Sequence, residues 1–192
     1  MGDITKNFSY SEYRPKGSPK TWMPESDYQQ RLIDNHASNL QVVRNELPDG
    51  CYMKITSGVR TESDFDRLIA KGYHPSATSD HYCGNIVPIS EYSSKYKKYG
   101  PLYMFSVGAA DVEPFGIKVY DLFKLSVKLT REGKCDFGQV IYEKDPITGK
   151  EWVHYGASIK DIFSSSIVRF IDRTQFMQSL DGGKTYSVVT NP

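Results

Sequence analysis

The 192-residue sequence holds only three cysteines, Cys51, Cys83 and Cys135, and no C-x-x-C pair. An odd count without that spacing argues against both a disulfide framework and a zinc knuckle. No run of about 18 apolar residues occurs, so no transmembrane helix and no membrane insertion are expected. The opening stretch MGDITKNFSYSEY has no basic segment followed by an apolar core, so no signal peptide is expected. An excess of either charge is missing too. Lys plus Arg is 24 and Asp plus Glu is 23, a formal net charge of +1. That balance supplies no electrostatic reason to expect nucleic acid or an anionic membrane as a partner. Repeats and low-complexity segments are absent. Histidine is scarce, with His36, His74, His81 and His154 the full set. Tyrosine is plentiful, at 14 residues. Tyrosine-rich surfaces suit sugars, peptides and protein interfaces.

The length fits one domain, residues 1–192, able to bury a core without staples. Residues 1–25 read as a short ordered opening and an irregular, proline-containing arm. The spacing of Leu32, Ile33, Leu40, Val43 and Leu47 predicts an amphipathic helix. Ser26 or Asp27 is its N-cap, and Pro48–Gly50 stops it. CYMKITSG alternates and predicts a strand ending at Gly58. TESDFDRLIAKG predicts a second helix or turn. Residues 73–116 predict long loops around short strands. IKVYDLFKLSVKLTREG predicts a helix with Tyr120, Phe123 and Val127 on one stripe. FGQVIYEK and EWVHYGAS predict two strands joined through DPITGK as a hairpin. DGGKTYSVV closes the sequence as a turn and a strand. The order of elements implies an α+β fold with a mainly antiparallel sheet flanked by helices.

Four places could carry chemistry. Catalytic zinc takes three protein ligands from His, Asp, Glu or Cys and leaves a fourth position open. It also needs a nearby carboxylate to take and return a proton. His81 lies in SDHYCG, a turn-rich setting of small residues, where a histidine can equally be a surface or hydrogen-bonded group. Asp111 ends SVGAAD, where an aspartate can instead cap or turn the chain. Glu151 stands three residues before His154 in EWVH, and residues three apart on an ideal strand face opposite sides. If both serve one metal site, Glu151 has to lie at the hairpin end or on a strong twist. Arg60 follows a strand-ending glycine in ITSGVRT. It is either a surface charge or a group that grips a carboxylate bidentately.

Taken in order, these segments resemble the zinc D-Ala-D-Ala carboxypeptidase family. That family includes phage L-alanyl-D-glutamate endopeptidases and shares the fold of the Hedgehog signalling domain. ITKNFSYSEY is similar to the opening of its small phage members, KITSGVRT to their iTSGYRS, SDHYCG to SqHlxG and GAADV to xAaDi. FGQVIYE is similar to fDQLIyE, EWVHYG to xWVHvs and LDGGKTY to the closing xgGkty hairpin. The likeness runs from about residue 3 to about residue 187. It implies a Hedgehog/DD-peptidase-like fold and a Zn2+ site with His81, Asp111 and His154 as ligands. It further implies Glu151 as catalytic base, seated at the strand's beginning and leaning over the metal-bound water without binding the metal, and Arg60 as the contact to substrate or to the developing oxyanion. The implied activity is hydrolysis of peptidoglycan stem peptides, as a D-Ala carboxypeptidase or an L-Ala–D-Glu endopeptidase, encoded by a phage or prophage. Peptidoglycan peptides are the implied partners, with phage tail proteins added if the protein is a virion component. The protein would act from the virion, or from the host cytoplasm with delivery to the cell wall. The alternative is a non-catalytic virion or wall-binding protein that keeps the fold.

One departure stands out. The family spacing between the first histidine and the aspartate is H-x6-D, whereas Asp111 follows His81 by 30 residues. This predicts an insertion at about residues 85–107, a lid, a docking surface or a decorative loop, with Tyr92, Tyr96, Tyr99 and Tyr103 in it. Long insertions are tolerated where their ends stay close. His36 and His74 read as structural, with His74 also able to face the cleft.

Overall fold

A computed structural model describes residues 2–73, 75, 79–83, 86–88, 103–105, 108–158 and 175–192. Its main helix, α2 (Asp27–Asn45), follows a short α1 (Tyr10–Tyr13). Ser26 caps α2 by accepting a hydrogen bond from the Gln29 N–H at 3.1 Å, as an N-cap serine does. Its buried stripe is Leu32, Ile33, His36, Ala37, Leu40 and Val43. β1 (Tyr52–Ser57) is followed by α3 (Glu62–Ala70) and a 3₁₀ turn at Asp80–Tyr82. Then come β2 (Ile86–Pro88), β3 (Tyr103–Phe105), β4 (Ala109–Phe115) and α4 (Val119–Arg131). β5 (Phe137–Lys144), β6 (Glu151–Ala157), β7 (Gln175–Ser179) and β8 (Ser187–Val188) complete the described elements.

The fold is α+β. Six strands form one sheet in the order β1-β4-β6-β5-β7-β8. Every neighbouring pair is antiparallel except β5 with β7, which is parallel, so the sheet is mixed. β5 and β6 form the expected hairpin, with the Asp145 N–H donating to the Lys150 carbonyl at 2.8 Å. Inside the turn, the Asp145 carboxylate accepts from the Ile147 N–H at 2.8 Å and from the Thr148 hydroxyl at 2.8 Å.

The two faces of the sheet are chemically different. Val112, Val140, Tyr142, Val153 and Tyr155 point to the face covered by α2 and α4 and belong to the core. Tyr155 marks that face, its hydroxyl 2.7 Å from Ser126 Oγ on α4. Its backbone carbonyl accepts from His36 Nε2 of α2 at 2.9 Å. Because side chains alternate along a strand, Asp111, Glu143, Trp152 and His154 lie on the second face. His36 is thus structural, as the sequence implied; His74 lies outside the described residues.

Two short strands lie within the segment expected to be an insertion. β2 and β3 pair antiparallel, Ile86 opposite Phe105 and Pro88 opposite Tyr103, so the two ends of the segment are held together. Residues 89–102, with Tyr92, Tyr96 and Tyr99, lie outside the described residues.

Candidate metal centre

Three elements far apart in sequence deliver the candidate ligands. Asp111 and His154 are directly opposite each other on β4 and β6. His81 arrives from the 3₁₀ turn, which is tied to the end of β1 by the Arg60 N–H donating to the His81 carbonyl at 2.8 Å. Gly58 explains why that connection needs its particular sequence. A Cβ there would lie 2.5 Å from Tyr13 Cα, so only glycine lets β1 leave the sheet this close to α1. The Gly58 carbonyl then receives His81 Nδ1 at 2.6 Å.

A carbonyl can only accept, so His81 carries its proton on Nδ1 and presents the Nε2 lone pair to the centre. His81 Nε2 stands 3.2 Å from Asp111 Oδ1 and 3.2 Å from His154 Nδ1, and His154 Nδ1 is 3.0 Å from Asp111 Oδ1. All three residues are buried, and their candidate donor atoms lie within 4.8 Å of one another. Burial, followed by the nearby Arg60 charge, pushes His81 down to about 4, which keeps it neutral and able to bind a cation. Burial alone would raise the Asp111 carboxyl, but the Arg60 guanidinium and the hydrogen bond of His154 hold it well below the usual carboxylate range. Burial pulls His154 down, and the hydrogen bond and charge of Asp111 more than reverse it, so its imidazole is raised. Two imidazole nitrogens and one ionised carboxylate oxygen, with one imidazole oriented by a backbone carbonyl, are a donor set suited to zinc.

Arg60 reaches the same group from the side. Its Nη2 ion-pairs with Asp111 Oδ2, and its Nε donates to Ser57 Oγ at 3.0 Å. Asp111 therefore offers Oδ1 to the centre while Oδ2 is held by arginine.

Glu151 lies away from the candidate ligands. It opens β6, as expected, but it does not lean over the ligands. Glu151 pairs with Lys144 across the hairpin, Oε1 3.0 Å from the ammonium. It also shares a hydrogen bond with Tyr142, a residue of the helix-covered face. The Lys144 hydrogen bond lowers its carboxyl. Strand alternation prevails: three residues from His154, Glu151 is on the opposite side of the sheet.

Another carboxylate, not singled out in the sequence, occupies the ligand face. Glu143 of β5 stands opposite Trp152, while Ile141 stands opposite His154. Glu143 is 9% exposed. Burial pushes its carboxyl up to about 7, with His154 lowering it and Asp111 raising it. Tyr186, from the C-terminal turn, donates its hydroxyl to Glu143 Oε1 at 3.5 Å. The signal that could have found Glu143 was the hairpin register. A turn that pairs Lys144 with Glu151 necessarily puts Glu143 beside Trp152 and on the side of His154.

No protein-family model, no curated protein and no solved structure matches the chain. Among the described residues no helix is long and apolar enough to cross a membrane.

Proposed function

We propose that this protein is a zinc-dependent peptidase that hydrolyses the stem peptides of peptidoglycan, as a D-Ala carboxypeptidase or an L-Ala–D-Glu endopeptidase. The observation that carries this reading is the convergence of His81 Nε2, Asp111 Oδ1 and His154 Nδ1 on one buried point. The seven ordered sequence likenesses to the D-Ala-D-Ala carboxypeptidase family support it, since three of those segments contain these three residues.

His81, Asp111 and His154 would hold the ion. Zinc bound there supplies an activated water and polarisation of the scissile carbonyl. The remaining chemistry belongs to the chain. The Gly58 carbonyl fixes the His81 tautomer. Arg60 positions Asp111 through Oδ2, and two of its five N–H groups are committed to Asp111 and Ser57. The N–H groups left over are available to a substrate carboxylate or to the negative charge that develops on the carbonyl oxygen. A phage or prophage origin, with release at lysis or carriage on the virion tail, accompanies this reading.

A second reading is a virion or wall-binding protein that keeps the fold without the chemistry. The withdrawal of Glu151 from the ligand face favours it. Metal analysis and digestion separate the two. The peptidase takes up about one zinc per chain, loses it in His81→Ala and in His154→Ala, and releases defined fragments from purified peptidoglycan by mass spectrometry. A protein that takes up no zinc on titration is not this enzyme.

A further inference from the structure

We propose that Glu143 of β5, and not Glu151 of β6, is the catalytic carboxylate of this site, taking the proton of the attacking water and returning it to the leaving amine. The inference rests on the peptidase reading above. It is carried by position. Asp111, His154, Trp152 and Glu143 occupy neighbouring places on three adjacent strands, β4, β6 and β5, and all face the same way. Glu143 has no cation bound to it among the described residues, and its Oε1 accepts from the Tyr186 hydroxyl. Glu151 has a lysine partner at 3.0 Å and the wrong face. A base neutralised by an ammonium on the far side of a sheet cannot reach a proton at His154's side.

The step balances with water and peptide alone. One water O–H bond breaks, its proton moves to a Glu143 oxygen, and the water oxygen bonds to the scissile carbonyl carbon. As the carbon–nitrogen bond breaks, the same proton passes to the departing nitrogen and Glu143 returns to its starting form. Tyr186 reaches Oε1 at 3.5 Å, and Trp152, opposite Glu143 on β6, lies beside the same carboxylate. Asp181 shapes the turn that delivers Tyr186, accepting from the Lys184 and Thr185 N–H groups at 3.0 Å each and from the Ser179 hydroxyl at 2.9 Å.

The test compares Glu143→Gln, Glu143→Asp and Glu151→Gln with the parent chain, each loaded with zinc. Three quantities are read: fragment release from purified peptidoglycan, zinc affinity by chelator competition, and affinity for acetohydroxamic acid by calorimetry. Removing a proton-transfer group typically costs on the order of 10²–10⁴ in rate. Glu143→Gln should fall in that range while still binding one zinc. Its zinc affinity should weaken several-fold, because a negative charge beside the ion is lost, and its hydroxamate affinity should fall. Glu143→Asp, which draws the carboxylate back by one methylene, should lie between it and the parent. Glu151→Gln should stay within about twofold of the parent on all three, as expected for a partly exposed ion pair on the other face of the sheet. Full turnover in Glu143→Gln, or its loss in Glu151→Gln, overturns the proposal. A parent that binds zinc but cuts no stem peptide sinks the peptidase reading and the proton role with it. The zinc and hydroxamate arms then show separately whether Glu143 faces the ion: weakening confined to Glu143→Gln upholds that placement, and unchanged affinities overturn it.

Discussion

Acid should unfold this protein through His36. Its ring is 1% exposed, between α2 and the sheet. Nε2 donates to the Tyr155 carbonyl and Nδ1 accepts from the Tyr13 hydroxyl at 2.9 Å, so both nitrogens are satisfied in the neutral form. Burial, partly opposed by the Tyr155 hydrogen bond, lowers its pKa from 6.5 to about 4. A histidine whose folded pKa lies below its unfolded value binds its proton first in the unfolded chain. Its stabilisation is fully present above pH 6.5, is lost as the pH falls toward 4, and changes little below that. A tenfold difference in proton affinity between the folded and unfolded chain corresponds to roughly 1.4 kcal/mol, so the loss at pH 4 is about 3 kcal/mol, a large part of a normal folding free energy. His81 of the zinc-free protein moves in the same direction, so the contribution of His36 has to be isolated. His36→Gln keeps one donor and one acceptor but cannot titrate. Urea unfolding of the zinc-free parent and of His36→Gln, followed by circular dichroism at pH 7 and pH 4, measures the difference. The parent should lose about 3 kcal/mol more than the variant over this interval. Parallel losses in the two proteins would refute the burial argument.

Three further outcomes follow from local geometry. Gly58→Ala forces a Cβ to within 2.5–2.8 Å of Tyr13 backbone atoms, which cannot rotate away. It should lower stability by at least about 1–3 kcal/mol and weaken zinc binding through the displaced Gly58 carbonyl, and an unchanged urea midpoint contradicts this. Tyr155→Phe removes the 2.7 Å bond to Ser126, whose hydroxyl still donates to the Leu122 carbonyl at 2.8 Å. The cost should be about 0.5–1.5 kcal/mol in chemical denaturation, with a loss above about 3 kcal/mol showing that the bond does more than join α4 to β6. Asp181→Ala should leave the global unfolding midpoint nearly unchanged while amide exchange over residues 180–188 speeds up, because the carboxylate serves only its own turn. A large fall in the midpoint would place the C-terminal turn in the cooperative core.

Much of the molecule was legible in the order of its residues. The 3.6-residue stripe of α2 and its Ser26 cap, the alternation of β1 and the Asp145–Lys150 turn are local matters, set by side-chain periodicity and short-range hydrogen bonds. So was the β5–β6 hairpin, whose register in the folded sheet carries Glu143 to the side of His154. The three candidate ligands could be named because their segments, taken in order, resemble those of the D-Ala-D-Ala carboxypeptidase family. Their meeting could not be read from composition. It depends on β4 pairing with β6 and on a 3₁₀ turn docking through the Gly58 carbonyl. Which carboxylate shares the face of the candidate ligands was likewise decided by the sheet, because alternation about a fixed register sends Glu151 to the helix side and Glu143 to the side of His154. Sequence by itself determined which groups this protein owns. The tertiary structure decided which of them face one another, since that depends on pairings between strands that the chain brings together only when it folds.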